Sequence, residues 1–436
     1  MDKLISSNIT RNFIVVLGLS LLIFSCSTAA APPPPPGTIA NIPPDTDDQF
    51  ALTGGIYYVA NNGSDTNTGT QGSPWKTLQY AANQVKAGDT VLVQNGDYEG
   101  FYTVFSGAKN NPIVFKANGE SVVISSGWLG GTNPDSNKTI NNINIEGTDF
   151  IVIDGFVVKD AKKAGIRIVE SSEVIVKNNR VGPSEMWGIF TGFAPSVKIR
   201  NNKTFRSRRE HGIYVSNSRI SGDNPVVRGN ESYGNNFNGI QFNGDCGSGG
   251  DGIISGALIE GNILRDNRSK AFSLISMQES VVRNNLIYNN GIVNGAGGIH
   301  LTDEISADCN KPSNNNVIVN NTVIEPRIAG IRITDNAKGN VIFNNLIITQ
   351  NSPPIADEVG GGQNQIDTAS NLTLRGAIPA NFFIDASQNN YHLKSGSPAI
   401  DAGKATYQAK VAPAIDFEGI SIPQGTRIDQ GAFEYK

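Results

Sequence analysis

Between Ile151 and Thr349 one phrase returns: a short run of alternating apolar residues, a polar pair, an apolar residue, a turn, then Gly-Ile. Runs such as Val174-Ile175-Val176 and Val317-Ile318-Val319 are too short for helices, and β-branched residues dominate them, so they predict strands. The polar pairs are Asn178-Asn179, Asn201-Asn202, Gly229-Asn230, Gly261-Asn262, Asn284-Asn285, Asn320-Asn321 and Asn344-Asn345. Their second members lie 23, 28, 32, 23, 36 and 24 residues apart. A minimum period near 23, with extra length inserted between phrases, predicts an all-β solenoid whose coils stack parallel strands ~4.8 Å apart. The Gly-Ile strands start at Ile166, Ile189, Ile213, Ile240, Ile299 and Ile331, Ala271-Phe272 fills the missing place, and Asp154-Gly155 is an earlier, degenerate rung. Asparagine recurring at one corner suits both an internal side-chain ladder and the left-handed backbone of a tight turn.

Outside the repeat, Leu78, Ala81, Ala82 and Val85 fall on one helical face and predict a helix covering the first coil's open core. After Gln350 the phrase stops, and Gly360-Gly361-Gly362 is expected to mark a boundary. The tail beyond it is expected to cap the other end, or else to serve as an anchoring or secretion signal. At the N-terminus, Lys3 and Arg11 precede the apolar run Phe13–Phe24, which is too short to span a bilayer and fits a signal peptide. The run ends Ile23-Phe24-Ser25-Cys26, which resembles a bacterial lipobox with Cys26 as the lipidated residue. Ala29-Ala30-Ala31 and five prolines follow, an extended tether. The expected division is a signal peptide over 1–25, a tether over 26–53, a solenoid over 54–350 and a C-terminal segment over 351–436.

Composition fits this picture. The chain has 48 glycines and 50 asparagines in 436 residues, as a turn-rich repeat requires. Its 39 acidic against 35 basic residues, net −4, leave no basic footprint for nucleic acid. Hydrophobic residues at 38% exclude wholesale disorder. With Cys26 given to lipid, Cys246 and Cys309 remain, and an extracytoplasmic location favours a disulfide between them. No phosphate loop, zinc pattern or Gly-x-Ser-x-Gly is present, so nucleotide chemistry and serine hydrolysis have no support.

The repeat, together with the opening Tyr57-Tyr58-Val59-Ala60-Asn61-Asn62-Gly63-Ser64-Asp65 and the later Pro74-Trp75-Lys76-Thr77-Leu78-Gln79, resembles the right-handed parallel β-helix of the pectate-lyase-like superfamily over roughly residues 56 to 350. That resemblance implies a single-stranded right-handed parallel β-helix, expected as a monomer, that meets an extended polysaccharide. The lipobox-like Cys26, separately, predicts an extracytoplasmic protein held at the membrane through its N-terminal lipid alone, and Ser27 rather than Asp after it points by analogy to an outer membrane.

Side chains alternate along a strand, so the Ile of each Gly-Ile points inward and the next residue outward. The outward column reads Arg167, Phe190, Tyr214, Gln241, Ser273, His300 and Arg332, and two residues further on it includes Ser216, Asn243, Thr302 and Thr334. Trp187, His211, Asn238 and Lys270 precede the strands; Asp245, Asp303 and Asp335 follow them. A lyase acting on a uronate needs a group neutralising the carboxylate, a base for the C5 proton and an acid for the leaving oxygen. Arg209 or Arg332, or a calcium held by Asp245, Asp303 and Asp335, are candidates for the first role. His211, Lys270, Arg332 and His300 are candidate catalytic groups, with Tyr214 as the acid; in the superfamily's lyases the base is usually Lys or Arg. Trp187, Phe190, Arg209, Gln241 and Asn243 are candidate sugar contacts. A glycosidase would need paired carboxylates about 5 to 9.5 Å apart, which Asp303 and Asp335 on adjacent coils permit. His211-Gly212-Ile213 and Arg332-Ile333-Thr334 are similar to polygalacturonase motifs, but the coil before His211 reads Met186-Trp187-Gly188-Ile189-Phe190 and lacks the aspartates that family carries there. A noncatalytic glycan-binding or adhesion protein on the same scaffold is the reading from another class.

Overall fold

In the computed structural model, described over residues 50, 53–134, 136–216, 223–292, 297–304, 310–325 and 327–436, alternation along each short strand buries every second side chain inside a parallel β-helix. Ile166, Ile189, Ile213, Ile240, Phe272, Ile299 and Ile331 are all fully buried, as the Gly-Ile pattern predicts, and Ala271-Phe272 does take the missing place. Ten strands, from Phe101–Tyr102 to Ile355–Asp357, form one continuous parallel sheet on one side. A 21-stranded sheet covers the rest, and each middle coil gives it two strands, as Lys198–Arg200 and Lys203–Phe205 do.

Between those two strands sits the asparagine pair, and its members divide the work. The first adopts the left-handed conformation, with φ of 58° at Asn178 and 54° at Asn201, and Gly229 and Gly261 replace asparagine at 66° and 63°. The second turns inward. Asn179, Asn202, Asn230, Asn262, Asn285, Asn321, Asn345 and Asn371 form a buried ladder in which each amide donates to the next carbonyl oxygen at 2.9–3.1 Å. The same side chains satisfy strand carbonyls and backbone N–H groups that the corner would otherwise strand in the core, as with Asn230 Nδ2 to Ile199 O and Asn202 N to Asn230 Oδ1.

The helix Leu78–Gln84 starts on Thr77, whose hydroxyl accepts from Tyr80 N, and presses Leu78, Ala81 and Ala82 onto the core beside Val85. Two expectations change. The solenoid continues for one coil past Gln350, with Ile355–Asp357, Gln365–Ile366 and Leu372–Arg375 each paired in register to the coil before. Gly360-Gly361-Gly362, all at positive φ, make a turn inside that coil instead of a boundary. The C-terminal segment also does not stack on the end of the core. It lies against the outer side, where Phe382, Phe383, Tyr391, Leu393 and Phe433 pack on Leu286, Tyr288, Ile324, Leu346 and Ile348. A second cluster joins Ala412 and Ile428 to Val317, Val319, Val341 and Phe343. The cause is in those strands: Leu346-Ile347-Ile348 and Val341-Ile342-Phe343 are apolar on both faces, so their outward residues need a cover as well. The signal peptide, Cys26, most of the tether and Cys309 lie outside the described residues.

Candidate active site

Register along the ten-stranded sheet sets the outward column as Tyr102, Asn144, Arg167, Phe190, Tyr214, Gln241, Ser273, His300, Arg332 and Ala356. Each step is one coil, so chemistry separated by dozens of residues in sequence is ~4.8 Å apart in space.

Two coils of the column, those of Phe190 and Tyr214, form an aromatic patch with Trp187. Trp187 and Phe190 stack at 4.6 Å, Phe190 meets Tyr214 edge-on at 5.5 Å, and Lys163 Nζ lies 5.7 Å from the Trp187 ring. The rings spend part of their faces on each other, leaving less for a sugar than their sequence spacing suggests. Arg209 stands to the side of the column, paired with Glu185 at 2.8 Å.

The middle coils hold the titrating groups. His211 is buried: its Nδ1 accepts from Asn238 N at 3.3 Å, its Nε2 lies 3.3 Å from Glu210, and Tyr214 and Phe237 flank the ring. Burial, aided by the nearby Lys270 charge, lowers its pKa to about 3. With both nitrogens engaged and the ring covered, His211 holds the coil together and is not placed to act as a base. Asn238 Nδ2 donates to Gln241 Oε1 at 2.8 Å, while Asn238 Oδ1 accepts from Lys270 N at 3.0 Å, so one asparagine orients a floor residue and the next coil's entry. Asn243 Nδ2 donates to Tyr214 Oη at 3.3 Å, and burial raises the phenol's pKa, which keeps it protonated.

Lys270 is the group whose chemistry the fold changes most usefully. Its Nζ donates to Ser273 Oγ at 3.3 Å. Burial first, and the charge of Arg332 second, lower its pKa to about 8, with Asp335 pulling the other way. Roughly a tenth is therefore free amine at pH 7, and half near pH 8. Arg332 is held by a bidentate pair to Glu358, at 2.7 and 3.0 Å. Glu358 was missed by reasoning from sequence because it lies beyond the expected end of the repeat. His300 Nε2 bonds Thr334 Oγ1 at 3.0 Å, Thr334 donates to Asp335 at 2.6 Å, and burial lowers His300 to about 3, with Lys270 and Arg332 adding to it.

The three aspartates expected as calcium ligands are each engaged locally. Asp335 Oδ2 accepts from Thr302 at 2.5 Å as well as from Thr334, Asp303 Oδ1 accepts from Lys311 N at 3.0 Å, and Asp245 Oδ2 accepts from Ser248 at 2.9 Å. Among the described residues no three His, Cys, Asp or Glu side chains gather as a metal-binding set. Cys246 is disulfide-bonded; the expected pairing with Cys309 falls outside the described residues.

The chain is 32% identical over 139 residues to the uncharacterized protein YwoF of Bacillus subtilis, covering 30% of this chain and 29% of that protein. It is 33% identical over 96 residues to pectate lyase PEL9 of Emericella nidulans, covering 21% of this chain and 23% of that one. It thus spans less than a third of either curated relative. Among solved structures, pectate lyase Pel9A superposes with a TM-score of 0.61 over 88% of this chain and 97% of its own, at 17% identity, a likeness of fold. A family model described as the right handed beta helix region matches residues 129–250 and 204–377, together more than half of the sequence. The protein therefore belongs to the right-handed β-helix family.

Proposed function

We propose that the protein is an extracytoplasmic enzyme, lipid-tethered through Cys26, that cleaves a uronate-containing polysaccharide by β-elimination. The observation that carries this reading is Lys270, a half-buried amine with its pKa lowered to about 8, resting on Ser273 in the same outward strip as Arg332. Lys270 takes the C5 proton, Arg332 faces the sugar carboxylate whose charge grows as that proton leaves, and the aromatic coils hold the preceding sugars. The electron pair released at C5 forms the C4–C5 double bond, the C4–O4 bond breaks, and a proton ends on the departing O4 from the Tyr214 phenol or from the Lys270 ammonium. The reaction consumes neither water nor oxidant. The relative named as a pectate lyase supports the same class.

The test is a panel of acidic polysaccharides (pectate, alginate and glycosaminoglycans) followed by the ultraviolet absorbance of the unsaturated product, with and without a calcium chelator. Rising absorbance with one polymer, insensitive to the chelator and absent in Lys270→Ala, is expected. New reducing ends without absorbance would replace the lyase with a hydrolase. Flat absorbance with no new ends across the panel would replace it with a surface glycan-binding protein. Loss of membrane association in Cys26→Ala tests the tether separately.

A further inference from the structure

Beside the proposed site, on the turn that leads into the outward column, a recess of about 520 Å³ is lined by Arg206, Arg208 and Arg268 with Gly234, Asp266 and Ile292. Arg208 and Arg268 lie three and two residues before His211 and Lys270, so the recess borders the middle coils of the strip.

Its charge is not cancelled from within. Asp266 is committed elsewhere, with one oxygen on Arg265 Nη1 at 2.9 Å and the other on the Asn289 amide. Arg206 makes no ion pair among the described residues. Arg208 meets Glu185 and Asp160 only loosely, at 3.5 and 3.9 Å, and Arg268 donates to the neutral Asn236 at 2.8 Å.

The backbone supplies an independent observation. Arg206, Gly234, Asp266 and Asn289 end successive in-register strands, and all have positive φ, at 54°, 62°, 56° and 58°. Glycine, aspartate and asparagine adopt that conformation readily; arginine does so at a cost. The next coil carries glycine at this corner, Gly234, and a Cβ built there would meet only the Arg206 Cγ, at 3.9 Å, so the corner itself is open. The half-exposed Ile292 gives the recess an apolar wall. A strained cation beside an open corner, with two further arginines, is arranged for an anion carried on a larger molecule.

We propose that this recess binds the anionic substituent, carboxylate or sulfate, of an acidic polysaccharide lying along the neighbouring strip. The proposal rests on the polysaccharide reading above. It makes the recess a specificity subsite off the line of cleavage, selecting polymers whose acidic group projects sideways from the bound chain. A polysaccharide is favoured over nucleic acid because the chain as a whole is net negative, −4, and the cations are confined to the edge of the strip.

Native affinity electrophoresis of the full protein tests this without requiring turnover. The gels contain polygalacturonate, which carries carboxylates alone, dextran sulfate, which carries sulfates alone, or neutral dextran. Wild type is expected to be retarded by one or both acidic polymers and not by dextran, and the polymer that retards it identifies the anion. The double variant Arg206→Gln/Arg268→Gln should bind that polymer roughly tenfold more weakly or worse, with Lys394→Gln/Lys410→Gln, the same loss of two charges at distant sites, unchanged. Full retention by the double variant, no retardation of wild type by either polymer, or equal retardation of wild type by DNA would each overturn the subsite. The two proposals fail separately. Retention lost in the variant with no cleavage of any panel polymer keeps the recess and removes the lyase, whereas cleavage with unchanged KM and retention in the variant keeps the lyase and removes the recess.

Discussion

At the scale of single residues, Lys270 and His211 occupy equivalent places in sequence, two residues before a buried strand start, yet their surroundings separate them. His211 is covered by Phe237 and bonded to Asn238 and Glu210, whereas Lys270 keeps a partly open ammonium against a single hydroxyl. Because the Lys270 pKa is lowered, the active free base is present above about 8 and is lost as pH falls through that value. We therefore expect kcat/KM on the cleaved polymer to rise with pH and level off above about 8. Lys270→Ala, which leaves no amine to take the proton, should lose on the order of 100-fold or more. A pH profile that is flat from 6 to 10, or activity retained by the alanine variant, would remove Lys270 from the base role. The strip that carries Lys270 was legible in the sequence, because alternation assigns outward residues without knowing the fold's details. The difference between Lys270 and His211 was not, since it depends on side chains from the next coil, 26 residues away at Phe237. The pairing of Arg332 with Glu358 was hidden for a different reason: Pro353-Pro354 and three glycines break the repeated phrase in sequence while the coil continues in space.

At the scale of elements, the asparagine corner was legible as a recurrent pair, though not its division into one left-handed and one buried member. A second ladder shows what such a stack requires at its end. Asn235, Asn267 and Asn290 donate in turn to the next coil, and the last pair of bonds, from Asn290 N and Nδ2, falls on Glu325, each at 2.8 Å. Glu325 is fully buried, and burial raises its carboxyl to about 8 against the pull of those two bonds. A folded-state pKa above the unfolded value of about 4.3 means that its contribution to stability is complete below about 4.3. That contribution is lost as pH rises through about 8. Glu325→Gln removes the titration. Its stability relative to wild type, from urea unfolding, should improve by roughly 2 kcal/mol or more between pH 5 and pH 9. A constant difference across that range would mean that Glu325 is ionised in the fold at all these pH values, with its two donors outweighing burial.

At the scale of the whole molecule, a solenoid converts sequence repetition into a straight track, and this decides what length of substrate it reads. From Phe190 to Arg332 the outward column climbs five coils, Phe190 to Tyr214, Gln241, Ser273, His300 and Arg332. At ~4.8 Å per coil this is about 24 Å, the length of about five sugar units. The groups along it are unequal: rings at one end, amides in the middle, and the amine with Arg332 at the other. An oligosaccharide that reaches only Lys270 and Arg332 meets the chemistry but forgoes the aromatic contacts, and remote contacts of this kind are what hold the reacting atoms in register. Activity per bond should therefore climb steeply with chain length, level off near five or six units, and yield medium-length oligomers early in a digestion of long polymer. Trp187→Ala or Phe190→Ala should flatten that climb, with little effect on the shortest chains that are cut. Chromatography of products from size-fractionated oligosaccharides measures it. A rate independent of length between two and eight units would mean that the proposed reaction uses only the Lys270 end, leaving the aromatic coils to brace His211 and Tyr214.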